Sequence, residues 1–251
     1  MAISKFDYTK ISDDCVKCGK CKPVCTIFNI NQDEATSPRG FIDLLGAYKR
    51  DELELDKNAK DIFESCFLCT NCVEVCPNDL PTDMIIEQVR SDIAKKYGIA
   101  WYKRLFFFLL RHRKTMDFLS KLGWVFQTCA LKLDSAKQSA LPRFSLPIVK
   151  KGRVLPYADK RSFLNKYPEN IPAINKSIEE NKKGKVAIFI GCMSNYTYTN
   201  TGDSLVKILK KLNLDITIPK KQLCCGAPAY FTGAFDTVDY LVKENIKYFE
   251  T

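Results

Sequence analysis

An α+β multidomain chain, with a helical N-terminal domain followed by a separate α/β domain, is the fold class that this 251-residue sequence predicts. Three observations predict it. Apolar residues recur at helical spacing across residues 38–98. Five prolines, Pro142, Pro147, Pro156, Pro168 and Pro172, then interrupt a basic stretch. From Lys185 an apolar run, an amphipathic run and a second short apolar run follow in the order strand, helix, strand. The expected divisions are residues 1–98, 99–136, 137–184 and 185–251.

Within the first division, eight of the twelve cysteines form two copies of one pattern, Cys15-x2-Cys18-x2-Cys21-x3-Cys25 and Cys66-x2-Cys69-x2-Cys72-x3-Cys76-Pro77. This is the bacterial ferredoxin spacing for a pair of [4Fe-4S] clusters. Two-residue gaps let three thiolates surround three corners of one cube, while the helix that follows carries the fourth to the other cube. The pattern therefore assigns Cys15, Cys18, Cys21 and Cys76 to one cluster, and Cys66, Cys69, Cys72 and Cys25 to the second. Two adjacent redox centres with no evident substrate pocket between them predict an electron wire, with substrate chemistry elsewhere. Structural zinc also uses Cys-x2-Cys pairs, but it gives no reason for a third evenly spaced cysteine and a fourth after three more residues, twice over. Disulfide frameworks belong to small secreted chains, and the opening MAISKFDYTKISDD lacks an apolar signal region. Cys25 is followed by Thr26 where Cys76 is followed by Pro77, which alters the exit turn and leaves the ligand set intact.

The helices of this division have legible ends. Ser37-Pro38 reads as an N-cap with proline in the first turn, opening a helix with Phe41, Leu44, Leu45 and Tyr48 on one side. A second helix is expected over Asp56–Glu64. Thr82 is expected to cap a third, with Ile85, Ile86, Val89 and Ile93 inward and Gly98 closing it. This interval resembles the helical ferredoxin domain of fumarate reductase and succinate dehydrogenase iron–sulfur subunits.

A net charge of +10 points to an acidic partner: nucleic acid, anionic lipid or protein. No apolar run approaches the roughly 20 residues that span a bilayer, since Leu105–Leu110 is bracketed by Arg104 and Arg111. A soluble or peripheral protein is expected. Trp101–Lys114 mixes aromatic and aliphatic residues with Lys103, Arg104, Arg111, Arg113 and Lys114, and a further apolar segment runs from Met116 to Leu133. Either an interfacial segment on anionic lipid or a core helix or subunit-docking surface with a basic edge satisfies this composition. Nucleic acid is not expected, because its contacts need accessible basic residues with stacking aromatics rather than a continuous apolar block. His112, the only histidine, reads as a solvated surface group, and Cys129 as a buried small apolar residue. Residues 137–183 read as a linker or wrapping arm.

In the last division KVAIFIGC is expected to be a strand, NTGDSLVKILKKLNL a helix with Leu205, Ile208, Leu209 and Leu212 inward, and DITIP a second strand. That βαβ order implies a small parallel sheet. A final helix carries Val238, Leu241, Val242 and Ile246. Cys192 follows the first strand and the pair Cys224-Cys225 follows the second, so topology gathers all three at the carboxyl edge, where ligands bind in such sheets. Gly226 permits close backbone approach and Pro228 fixes the exit. The three are a candidate third redox site; the bland alternative is a buried strand-end residue and an incidental pair.

QLCCGAPAYFTG, with FIGC upstream, resembles the cysteine-rich CCG domain of the heterodisulfide reductase family. The order of two ferredoxin runs, basic apolar segment and CCG domain, together with SPRG at Ser37–Gly40, resembles the iron–sulfur subunit of glycolate oxidase and its D-lactate dehydrogenase relatives. The resemblance implies an oxidoreductase subunit that takes electrons from a flavoprotein 2-hydroxy-acid dehydrogenase subunit and passes them to a quinone. Its expected location is the cytoplasm, peripheral on the inner face of the cell membrane. Family members carry a second CCG domain and a further cysteine, which implies that this chain is a fragment or a truncated or split product. Three thiolates would then leave a third cluster in need of an outside ligand. No Gly-x-Gly-x-x-Gly is present, so a Rossmann flavin or nicotinamide site is not expected here. The other classes are a heterodisulfide-reductase-like thiol–disulfide subunit, the small subunit of anaerobic glycerol-3-phosphate dehydrogenase, and a zinc module on nucleic acid.

Overall fold

The computed structural model describes residues 8–145, 152–173 and 184–250. They form two compact units, the first gathering the chain up to Arg104 together with Ala227–Asp239, the second Leu105–Gly226 together with the chain from Tyr240.

The first unit contains α1 (Tyr8–Asp13), α2 (Thr26–Asn31), a 3-10 turn (Glu34–Thr36), α3 (Pro38–Lys49), α4 (Lys57–Glu64), α5 (Asn71–Glu74) and α6 (Thr82–Tyr97). Ser37 caps α3 as expected, its Oγ accepting from Gly40 N at 2.9 Å with Pro38 next in line. Asp56 caps α4 by accepting from Ala59 N at 2.7 Å. Thr82 does not cap α6 but is its first residue. Its hydroxyl donates back to the Leu80 carbonyl at 3.4 Å, and Pro81, with its φ fixed by the ring, leads into the helix. Gly98 ends α6 at φ +72. Phe41, Leu45, Phe63, Ile85, Ile86 and Val89 are buried to 1% exposure or less, each stabilising the unit by roughly 1.5–3 kcal/mol.

Beyond α6 the chain forms α7 (Trp101–Arg111), α8 (Arg113–Ala130), β1 (Leu131–Asp134), β2 (Ser139–Pro142), α9 (Phe163–Lys166) and β3 (Asn170–Ile171). It continues as β4 (Lys185–Ala187), α10 (Cys192–Tyr196), α11 (Thr199–Lys211), β5 (Asp215–Thr217), α12 (Ala227–Tyr230) and α13 (Phe235–Phe249). In the second unit β4 pairs β5 in parallel, Val186 opposite Ile216, as the βαβ order predicts. The sheet has a third strand, β3, antiparallel to β5 and drawn from the stretch expected to be linker. The same stretch supplies β2, which pairs β1 and bridges to Leu155 through Ala140. Pro142 ends β2 and Pro172 follows β3, so these prolines bound short strands. Residues 146–151, with Pro147, and 174–183 of the expected linker lie outside the described residues.

Three further expectations are corrected. On α11 the buried face carries Thr199, Gly202 and Val206, with Leu209 packed beside them, whereas Leu205, Ile208 and Leu212 are exposed. The register is set by Phe163, whose ring occupies the space over Gly202 where a Cβ would lie 2.5 Å away. On α13 Leu241 is buried, but Val242 and Ile246 are each 44% exposed. Cys129 is exposed, because α8 presents nearly its whole circumference, including Phe118, Leu122, Val125 and Phe126, to solvent among the described residues. His112 is exposed as expected, stacked on Phe108 at 4.1 Å.

Candidate metal centres

In the first unit the two cysteine runs surround two neighbouring hollows. One, of about 410 Å³, is lined by Cys15, Cys18, Cys21 and Cys76, with Cys72 reaching it as well. The other, of about 450 Å³, is lined by Cys25, Cys66, Cys69 and Cys72. The fourth cysteine of each run thus faces the hollow of the other run. Asn78 Nδ2 fastens the turn after Cys76 to the Asp14 carbonyl at 2.8 Å, beside the first run.

Both runs fold by the same backbone device. The second and fourth residues after the first cysteine are left-handed in each, Lys17 and Gly19 at φ +54 and +79, Leu68 and Thr70 at +53 and +62. Alternating handedness turns successive N–H groups into one concavity, which favours an anion. Leu68 and Thr70 take this conformation at a cost of about 1–2 kcal/mol each, which is backbone strain held at a site. Sulfurs accept from backbone as well: Phe28 N to Cys25 Sγ at 3.5 Å and Leu68 N to Cys66 Sγ at 3.4 Å.

The SPRG segment has a part for each residue. Ser37 caps α3, Pro38 occupies its first turn, and Arg39 spans from the Lys17 carbonyl at 3.1 Å to Glu34 Oε1 at 2.7 Å at the edge of the first hollow. Gly40 is required because a Cβ there would lie 1.9 Å from the Glu34 carbonyl oxygen. Arg39, with Lys22 and Ser37 behind it, holds the Glu34 carboxyl down at about 2.

Burial pushes the Cys72 thiol up to about 12, with nearby Cys66 and Cys21 adding to the rise, and burial also raises Cys66 and Cys21. Four thiolates facing one hollow repel one another, and a cationic group between them relieves that cost. Among the described residues no three His, Cys, Asp or Glu side chains converge closely enough to hold a single metal ion. Zinc would need its sulfurs about 2.3 Å from one centre. Thiols spread around a larger hollow, in loops that aim N–H groups inward, fit an iron–sulfur cube.

In the second unit Cys192 begins α10 and Cys224 lies on the loop after β5. The buried Gln222 holds that loop in place: its Oε1 accepts from Ile190 N at 2.7 Å and its Nε2 donates to the carbonyls of Ile188 and Pro219 at 3.1 and 2.9 Å. Asn245 accepts from Leu223 N at 2.7 Å and donates to the Cys224 carbonyl at 3.1 Å. Cys192 and Cys224 interact across this cleft, which lowers Cys192 and, with burial, raises Cys224. Both face a cleft of about 350 Å³ that is also lined by Arg113, Tyr196, Leu109 and Leu110. Cys225 is exposed and does not line it. Topology thus brings two of the three predicted cysteines together, while the adjacent third stands outside the cleft. Gly226 has φ +87, supplying the left-handed turn after the pair.

Two features escaped the sequence. Gln222 sits inside the motif, yet its latch on the Ile190 amide is visible only once the sheet is formed. The second is the final glycine of QLCCGAPAYFTG: Gly233 has φ +78, and a Cβ there would lie 2.6 Å from Ser91 N on α6.

Residues 11–80 match the 4Fe-4S dicluster domain family and residues 186–251 the cysteine-rich CCG domain family. The chain therefore joins a 4Fe-4S dicluster domain to a cysteine-rich CCG domain. The glycolate oxidase resemblance read from the sequence is matched among its relatives. It is 29% identical over 243 residues to the probable glycolate oxidase iron-sulfur subunit of Bacillus subtilis, covering 94% of this chain and 54% of that protein. It is 26% identical over 255 residues to one of the subunits of the CoM/CoB fumarate reductase of Methanothermobacter marburgensis, covering 97% of this chain and 41% of that one. A 66-residue segment is 36% identical to lactate utilization protein A of Bacillus cytotoxicus, covering 26% and 28% of the two chains. The chain spans about half or less of the length of the curated relatives it matches. No solved structure matches it.

Proposed function

We propose that this chain is the electron-transfer subunit of a flavin-dependent 2-hydroxy-acid dehydrogenase acting on glycolate or D-lactate, relaying electrons from a flavoprotein partner towards a quinone. The observation that carries the reading is the pair of hollows, each lined by three cysteines of one run and the fourth of the other. Cys15, Cys18, Cys21 and Cys76 would hold one [4Fe-4S] cluster, and Cys66, Cys69, Cys72 and Cys25 the second. When bound, such clusters accept and release single electrons. Val16 and Phe67, equivalent positions of the two runs, stand 65% and 66% exposed at the rims and give a redox partner an apolar landing surface. Cys192 and Cys224 share the cleft of the candidate third centre, with the exposed Cys225 next to them in the chain.

Among the described residues no helix is long and apolar enough to cross a membrane. Exposed Trp101, Phe106 and Phe108 beside Lys103 and Arg104 support peripheral attachment to the anionic inner face of the cell membrane, with the rest of the protein in the cytoplasm. Phe107 is buried, so the pair Phe106→Ser and Phe108→Ser is the fitting variant. Retained binding to anionic vesicles in that variant would reject the attachment.

Anaerobic purification with iron and sulfide counting and EPR tests the main reading. About eight irons are expected for two cubes and twelve if the third centre is filled. Reduction of the clusters by glycolate or D-lactate should occur only with the flavoprotein present; zinc without sulfide would refute the reading. Cys192 and Cys224 lining one cleft favour a second reading, a thiol–disulfide subunit of the heterodisulfide reductase kind. Disulfide reduction lost in Cys224→Ser with cluster spectra retained would support it, and unchanged turnover would reject it.

A further inference from the structure

Arg90, in the middle of α6, is 7% exposed. Among the described residues its guanidinium donates only to backbone carbonyls. Nε and Nη2 reach Phe63 O at 3.2 and 3.0 Å, Nη2 also reaches Glu64 O at 3.1 Å and Cys66 O at 2.6 Å, and Nη1 reaches Phe231 O at 3.0 Å. Carbonyl dipoles solvate a cation without cancelling its charge, so the field persists in a low-dielectric interior. Burial works against its charge, and Cys66 when ionised, then Glu64 and Glu87, favour it. Arg39 at the first hollow differs, since Glu34 at 2.7 Å compensates it. At the second hollow the one carboxylate among the lining residues is the half-buried Asp83.

We propose that Arg90 is a positioning residue of the second centre, clamping the chain that leads into Cys66 and holding beside it a permanent positive charge that raises the reduction potential of the group bound by Cys66, Cys69, Cys72 and Cys25. The proposal rests on the cysteine assignment made under the proposed function. Reduction adds one negative charge to a cluster, so a fixed cation nearby favours the reduced form, as nearby charge does in iron–sulfur centres generally.

The test is an EPR-monitored redox titration of the anaerobically loaded full chain. In Arg90→Gln, one centre is expected to lose about tenfold in its reduced-to-oxidised ratio at the parent's midpoint. That is the size of the interaction of a charge about 12 Å away at an effective dielectric near 20, and corresponds to about 59 mV for one electron. The other centre should shift by less, with iron and sulfide content unchanged. Arg90→Lys keeps the charge and should hold its midpoint within about threefold while unfolding at lower urea, because the fork is gone. An iron-loaded Arg90→Gln with both midpoints at parent values overturns the proposal. Should that variant fail to keep iron, Arg90→His at pH 9, where imidazole is neutral, takes its place: a tenfold loss against the parent at the same pH supports the charge effect, and equality overturns it. A parent chain that binds no iron overturns the proposed function and this inference together, whereas unchanged midpoints in loaded variants overturn only the inference.

Discussion

Replacing Gly40 by alanine puts a methyl group where the 3-10 turn and the start of α3 almost touch. Its Cβ would lie 1.9 Å from the Glu34 carbonyl oxygen, 2.8 Å from the Glu34 carbonyl carbon and 3.2 Å from Ala35 Cα. A relaxed carbon–oxygen approach is about 3.3 Å, so the two backbones must part by about 1.4 Å. Neither side is free to yield. Glu34 is held by Lys22 at 2.6 Å and Arg39 at 2.7 Å, its carbonyl accepts from Ser37 N at 2.9 Å, and Gly40 N is itself bound to Ser37 Oγ at 2.9 Å. Overpacking against backbone belongs at the upper end of its usual range, about 3 kcal/mol. The gain of alanine over glycine in a helix returns about 1 kcal/mol, which leaves a net loss of about 2 kcal/mol. With a urea slope of about 2 kcal/mol per molar, the midpoint for bleaching of the cluster absorbance should fall by about 1 M. Gly123 on α8 is the matched control, since a Cβ there meets nothing within 4 Å. Gly123→Ala should stabilise the helix by about 0.5–1 kcal/mol and raise the urea midpoint of the helical signal by about 0.25–0.5 M. If the Gly40→Ala midpoint lies within about 0.2 M of the parent, the close approach does not constrain this turn and the account of SPRG fails.

Gly202→Ala drives a methyl group into the fully buried Phe163 ring, 2.5 Å from two of its carbons, and should destabilise the second unit by about 1–3 kcal/mol in urea unfolding followed by circular dichroism. Gln222→Leu strands the Ile190 amide and the Ile188 carbonyl in the interior. About 3 kcal/mol should be lost, and labelling of Cys224 by a thiol reagent in the metal-free protein should speed up in step; slow labelling at parent rate would count against the latch. Burial raises the Glu87 carboxyl from 4.5 to about 7. Between those pH values the folded chain keeps a proton that the unfolded chain has released, so stability falls as pH rises through the window and is flat above it. Glu87→Gln should remove that slope, worth up to about 3 kcal/mol, and melting curves from pH 5 to 8 that remain parallel to the parent's would contradict the assignment.

Local signals were legible where the chain's own neighbours decide the outcome. Ser37 and Asp56 mark helix ends through atoms a few residues away, and each run of three closely spaced cysteines gathers at one hollow because short loops leave little freedom. Long-range decisions were not legible. The face of α11 follows from a missing side chain at Gly202, which carries no hydrophobic signal, and from Phe163 in a segment that reads as linker. The two-residue strand β3 acquires its identity only by pairing with β5. Arg90 looks in sequence like any helical arginine, because its partners Phe63 and Phe231 lie 27 and 141 residues away.

The packing of Gly233 against α6 limits how the molecule can be dissected. Residues 186–251 match one domain family, yet Ala227–Asp239 completes the other compact unit. A cut before Lys185 would remove the acceptor of Arg90 Nη1 and bare the backbone of Arg90 and Ser91 beneath Gly233. The N-terminal piece should therefore melt below the intact chain, and exchange between relatives should respect the residue 226–227 junction as well as the one near 185. Inheritance of the two cysteine-bearing stretches is thus tied by folding.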